Sequence, residues 1–199
     1  MARSFSRAEL DGNLASVVGL WRDGRLAYIN QAWSRFAEDN GGQPAIDAAW
    51  GLGVNYFDAI PAVLRPFYDQ LFASLPYSTE HLHPIAHTYE CSSATRYRTF
   101  AMQVYLLPED TGFLIINSLV VERPHDAKER PPQPADPAAY QDEDGILKQC
   151  AHCRRVLRLG EPARWDWVPE WVERMPSSTG HAICPACVGF YFRRRKQPG

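Results

Sequence analysis

The chain has 199 residues, 45% of them apolar and 22% charged, with a formal net charge of −2. This length accommodates one medium domain and one small one, and the near-balanced charge removes any overall pull towards nucleic acid or an anionic membrane. No run approaches the roughly 18 apolar residues that cross a bilayer, and Met1-Ala-Arg-Ser-Phe-Ser-Arg7 leads into no apolar stretch, so the expectation is a cytoplasmic protein with no signal peptide and no membrane partner.

In chain order, Ser16–Trp21 and Leu26–Ile29 are two short apolar runs around Arg22-Asp-Gly-Arg25, which predicts a hairpin on an Asp-Gly turn. Asn30 suits a helix N-cap, since its side chain can accept a free N–H of the next turn. The helix that follows places Trp33, Phe36 and Ala37 on one face and stops at Asn40-Gly41-Gly42. Residues 43–53 read as loop. Asn55–Ile60 reads as a short helix ended by Pro61. Residues 62–73 read as an amphipathic helix with Val63, Leu64, Phe67, Leu71 and Phe72 inward, and Pro66 kinks it or shifts its start. Three strands are predicted next, near 80–91, over 97–107 and over 112–121. In the second, Phe100, Met102, Val104 and Leu106 alternate with Thr99, Ala101, Gln103 and Tyr105. Residues 123–142 are rich in proline and charge and poor in large aliphatics, which predicts a semi-extended linker.

Beyond it lie Cys150-Ala-His-Cys153 and, after thirty residues, Cys184-Pro-Ala-Cys187. Two such pairs can close on one tetrahedral metal, so Cys150, Cys153, Cys184 and Cys187 are the candidate ligands and structural Zn²⁺ the leading cofactor. A redox dithiol switch and an iron–sulfur cluster stay open. His152 and His181 stand beside the pairs, as replacement ligands, as hydrogen-bond donors to sulfur, or as packing residues. Asp166 is expected to cap a short helix, with Pro169 in its first turn, and Trp165, Trp167 and Trp171 to form a contact surface. Cys91 reads as a core thiol, and His81, His83 and His87 as surface residues of a strand. Arg193-Arg-Arg-Lys196 reads as a solvated basic terminus, with nucleic-acid contact as the weaker alternative. The chain carries no Gly-x-Ser-x-Gly, P-loop, Rossmann or His-Glu-x-x-His pattern, so no catalytic residue is assigned and the expectation is a protein that is not an enzyme.

Gly24-Arg-Leu-Ala-Tyr-Ile-Asn-Gln-Ala-Trp33, Phe36-Ala-Glu-Asp-Asn-Gly41 and Gly53-Val-Asn-Tyr56 together resemble a PAS sensor domain of a bacterial signalling subgroup. Tyr89-Glu-Cys-Ser-Ser93 and Arg96-Tyr-Arg-Thr-Phe100 resemble that subgroup's strand pair. The tail, with Cys150, Cys153, Trp165, Trp167, Trp171, His181, Ile183, Cys184, Pro185 and Cys187, resembles a short cysteine module found after sensory domains. The resemblance implies an α+β fold: a PAS-like five-stranded antiparallel sheet with flanking helices, plus a small zinc-ribbon-like C-terminal module. The expected domains are a sensor at 10–122, a linker at 123–145 and a zinc module at 146–193. The resemblance also implies a signalling protein whose PAS domain senses a small molecule or forms a homodimer, with the module contacting a signalling partner. A zinc-dependent, nucleic-acid-binding transcriptional regulator and a thiol redox sensor are the alternatives. A flavin photosensor of this family would need a cysteine where Tyr56 stands, and a haem sensor a histidine within residues 61–76, which hold none. Ser118–Glu122 runs into prolines in place of the junction that leads to a kinase or cyclase, and no such transmitter follows.

Overall fold

Two apolar runs separated by Asp-Gly close into a hairpin in the computed structural model, which describes residues 5–40, 50–76 and 83–192. Strand β1 (Ser16–Trp21) pairs antiparallel with β2 (Leu26–Ile29). Gly24 makes the turn at φ +86°, and a Cβ there would lie 2.6 Å from the Phe57 ring. A short helix, α1 (Arg7–Asp11), precedes the hairpin. Its first turn is closed by Ser6 and Glu9, each bonding the other's backbone N–H.

Asn30 ends β2 and caps α2 (Gln31–Asp39), its Oδ1 accepting the Trp33 N–H at 3.0 Å. The same oxygen accepts the Val17 N–H, while its Nδ2 donates to the carbonyls of Leu10, Asn13 and Ala15. One buried carboxamide thus satisfies the backbone of three segments. The expected stop at Gly41-Gly42, most of the loop over 43–53, and His81 lie outside the described residues. Asn55 caps a 3₁₀ turn at Tyr56–Ala59. A second 3₁₀ turn at Ala62–Leu64 leads into α3 (Arg65–Ala73), so Pro66 marks a start and not a kink.

The strands β3 (Ile85–Glu90), β4 (Arg96–Leu106) and β5 (Gly112–Pro124) complete a five-stranded sheet in the order β2-β1-β5-β4-β3. The fold is the α+β arrangement expected, an antiparallel sheet with flanking helices. Alternation sorts its faces. Phe113 meets Phe72, which meets Phe57, and Phe36 meets Phe100, each pair edge-on at 5.0–5.5 Å. On the other face Val17, Leu114 and Ile116 pack with Phe5, Leu10 and Tyr28. A Cβ at Gly112 would run into the Leu20 carbonyl oxygen. Gly112→Ala should therefore cost about 1–3 kcal/mol through forced separation of β1 and β5, read as a lower urea midpoint with an unchanged m-value.

The chain divides into two compact units. The first comprises Met1–Ile60, Tyr68–Tyr89 and Phe100–Val120, and the second Pro61–Phe67, Glu90–Thr99 and Val121–Gly199. In the second unit β6 (Leu147–Cys150), β7 (Val156–Arg158), β8 (Arg164–Asp166) and β9 (Thr179–Ala182) form a sheet in the order β8-β7-β6-β9. β6 and β9 run parallel. Three short helices accompany them, α4 (Pro137–Tyr140), α5 (Pro169–Glu173) and α6 (Pro185–Phe192). The core is Tyr140, Leu147, Val156, Val168 and Trp171.

Residues 123–142, read from composition as a linker, carry two of this unit's buried side chains. Tyr140 is buried in the core with its hydroxyl donating to Asp166 Oδ2, and Arg130 is buried against Glu90. Two expectations are corrected. Asp166 ends β8 and caps nothing, because Val168 holds the N-cap position of α5 without a side-chain bond; Pro169 does occupy the first turn. Trp167 and Trp171 are only 2% and 7% exposed, so they are core and cannot form a contact surface.

Candidate metal centre

The four cysteines come from two turns that the parallel β6–β9 pair brings side by side. Cys150 ends β6 opposite Ala182, two residues before Cys184. After Cys150 the chain doubles back, with the Arg154 N–H donating to the Cys150 carbonyl and the Cys150 N–H to the Arg155 carbonyl. Arg154 takes φ +62° to do so. The second pair sits at the start of α6, where the N–H groups of Cys187 and Val188 both reach the Cys184 carbonyl. Pro185 suits that first helical position, which needs no N–H.

All four residues are buried, and their four sulfurs lie within 4.8 Å of one another. Cys153 Sγ and Cys184 Sγ are 3.7 Å apart. A tetrahedron with metal–sulfur bonds of about 2.3 Å has edges of about 3.8 Å, so the spacing fits a four-thiolate metal site. It excludes a disulfide between that pair, which would need about 2.05 Å, and all five cysteines are free. The Cys184 N–H donates to Cys150 Sγ at 3.4 Å, Arg155 Nη1 stands 4.0 Å from Cys153 Sγ, and Trp165 and Ile183 close the site with apolar surface.

Electrostatics make the same demand. Hydrogen bonds from Cys153, Cys184 and Cys187 hold the Cys150 thiol far below its ordinary value. Donating to it holds Cys153 and Cys187 well above theirs. Four thiolates crowded into a dry pocket repel one another, and a cation at the centre offsets that cost.

Neither histidine joins the sulfurs. His152 is buried, its ring over Phe190 at 4.6 Å and its Nδ1 2.8 Å from the Tyr191 hydroxyl. His181 lies on β9 opposite Gln149 and is exposed. Cys91 is half-buried outside the cluster, and burial pushes its thiol up. His87 lies between Tyr68 and Tyr89 in ring contact with both.

Beside the centre, within the same unit, stands a polar cluster that motif reading did not single out. Arg130 makes two bonds of 2.7 Å to the two oxygens of Glu90, and its guanidinium lies 5.1 Å from both the Tyr97 and the Trp167 ring centroids. His125 Nε2 donates to the Ser93 carbonyl at 2.9 Å, and its ring lies 4.5 Å from Trp167. Its Nδ1 is buried without a partner. Protonation there would be unsupported, in line with the lowering of its pKa by burial.

In the first unit a cavity of about 280 Å³ opens beside α1, lined mainly by Phe5, Leu10, Leu20, Tyr28, Leu107 and Leu114. The sheet face towards α2 and α3 carries the edge-on aromatic pairs. Among the described residues no helix is long and apolar enough to cross a membrane.

No family model matches the chain, and no curated protein matches it either. Among solved structures, the photoactive yellow protein domain of the sensor histidine kinase Ppr from Rhodospirillum centenum is similar at 15% identity. That match covers 57% of this chain and 93% of the other, with a TM-score of 0.36. At that overlap the likeness carries no argument, and the fold assignment rests on the sheet itself.

Proposed function

We propose that the chain is a cytoplasmic, non-enzymatic signalling protein. Its N-terminal PAS-like domain takes up a small molecule or pairs with a second copy. Its C-terminal module, built on a structural zinc ion held by Cys150, Cys153, Cys184 and Cys187, presents a surface to a signalling partner. The observation that carries the metal reading is the fit of four buried sulfurs, 3.7 Å apart at the Cys153–Cys184 edge, to a closed tetrahedral site. Zinc bound there would supply charge and cross-linking only, since four protein ligands leave no open position for chemistry. For the sensor, the small-molecule reading is supported by the apolar cavity beside α1, whose volume suits a small, uncharged apolar compound.

The alternatives draw less support. A redox-active thiol is accessible to its oxidant, whereas Cys150, Cys153, Cys184 and Cys187 are all buried. The basic residues 193–196 lie outside the described residues, so contact with nucleic acid rests on sequence alone.

Native mass spectrometry of the full chain tests the proposal. The expected result is one zinc ion per chain, lost in each of the four Cys→Ser variants and kept in Cys91→Ser. A folded wild-type chain that carries no metal and takes up none from added zinc sinks the metal reading. A mass increment and visible absorption from iron and sulfide would replace zinc by a cluster.

A further inference from the structure

Strand β5 is thirteen residues long and β1 only six. Their ladder ends at the pair Ser16–Asn117. The chain before β1 does not continue along β5, because the Asn30 carboxamide draws the carbonyls of Leu10, Asn13 and Ala15 to itself. Among the described residues, β5 from Ser118 onward therefore has β4 on one side and no strand of the sheet on the other.

The hydrogen-bonding parity of this open edge can be worked out. Val17 donates its N–H to Asn30 Oδ1 and accepts from the Asn30 N–H, so its polar groups point away from β5. Those of Ser16 and Val18 then point towards β5, which makes Ser16–Asn117 and Val18–Ile115 the hydrogen-bonded pairs. By alternation the N–H and C=O of Leu119 and Val121 face outward from the open edge, and those of Val120 face β4. Three consecutive apolar side chains stand on this stretch, Leu119 48%, Val120 60% and Val121 38% exposed. An open strand edge with exposed apolar residues on both faces is a template for another strand.

We propose that this edge receives the same strand of a second copy, antiparallel and centred on Val120. A two-fold axis makes such a contact self-complementary, and parity with chemistry selects the register. An axis between two residues would set an outward-facing residue opposite an inward-facing one, which an antiparallel ladder does not allow. An axis at Leu119 would need Asn117, already bonded to Ser16. An axis at Val121 would set Val120 against Glu122 and Leu119 against Arg123, apolar against charged. The axis at Val120 pairs Leu119 with Val121 of the other copy as the hydrogen-bonded pair. It also sets Val120 against itself and Ser118 against Glu122, so apolar meets apolar and no like charges face each other. A ladder over Ser118–Glu122 is smaller than the roughly 1,200 Å² of a stable specific interface, so the dimer is reversible and depends on concentration. It rests on the reading above that the domain pairs with a second copy and names the surface; it depends on neither the metal nor the ligand.

Sedimentation velocity on the zinc-loaded full chain, from about 1 to 500 µM, tests it. The wild type is expected to pass from monomer to dimer. Val120 is mostly exposed, so Val120→Glu and Val120→Lys should keep the fold and the zinc content. Each alone should weaken the dimer at least about tenfold, because like charges then meet across the axis; an equimolar mixture of the two should associate again. Val120→Cys should form a symmetric disulfide on mild oxidation and Leu119→Cys should not, since only residue 120 faces its own copy. A wild type that stays monomeric throughout overturns the proposal. So does a dimer unchanged by both charges, or one that mixing fails to restore.

Discussion

Stripping zinc from the loaded protein with a strong chelator is expected to unfold the cysteine module while leaving the β1–β2 hairpin and its sheet folded. The module's own core is small, Tyr140, Leu147, Val156, Val168 and Trp171. Structural zinc contributes about 10–16 kcal/mol of apparent binding energy in comparable four-ligand modules, against the roughly 5–15 kcal/mol that holds a whole domain folded. Without the ion the four sulfurs share a dry pocket, where hydrogen bonds favour the charged form of Cys150 and oppose that of Cys153 and Cys187. Hydrogen exchange by mass spectrometry reads the outcome segment by segment. Protection over residues 147–192 should fall to that of an unfolded chain, and protection over 16–29 should persist. Cys184→Ser should reproduce the loss without chelator, and Cys91→Ser should not. Full protection of 147–192 after zinc removal would show that the core suffices and that the metal is an accessory.

The second large effect is expected at Arg130. Its side chain is 9% exposed and that of Glu90 7%, so the pair is desolvated as well as bidentate. Removing one partner leaves the other as a buried, uncompensated charge, which costs about 3–5 kcal/mol. Arg130→Ala and Glu90→Ala should each lower stability by that amount in urea melts. Arg130→Lys should rescue little, because an ammonium can neither make both bonds nor stack between Tyr97 and Trp167. The double variant Glu90→Gln with Arg130→Met should lose much less than the sum of the single losses, since it removes both charges together. A single-variant cost under about 1 kcal/mol would mean that water screens the pair and that the packing around it is dispensable.

How much of this was legible in the sequence depends on how far apart the interacting residues lie. Local signals read well. Asp23-Gly24 marked the hairpin, Asn30 the cap, and the alternation of Phe100, Met102 and Val104 the buried face of β4. The spacing of the cysteines anticipated the group of four sulfurs that the structure brings together. The Ser6–Glu9 capping box of α1 is equally local, but no long apolar run follows it to mark a helix. What composition could not convey was tertiary. Arg130 sits in a charged, proline-rich stretch and is buried only because Glu90, forty residues earlier, meets it. Tyr140 is an aromatic among prolines until Asp166 and Trp171 surround it. The tryptophans of the tail read as surface because neither periodicity nor spacing reveals that β6 and β9 run parallel and fold α5 over the core.

The position of the four sulfurs has a further consequence when the chain is treated as a polymer. A metal joining Cys150 and Cys153 to Cys184 and Cys187 closes a ring that contains β7, β8, α5 and β9. By the loop-entropy relation a covalent cross-link over a ring of this size removes about 4 kcal/mol worth of freedom from the denatured chain. A disulfide would do so only where thiols stay oxidised; coordination closes the ring in a reducing solvent as well. The ring also spans a parallel strand pair, β6 with β9, a pairing that needs a long connection and carries its closure cost. The tie therefore offsets the closure cost of the connection that the β6–β9 pairing requires.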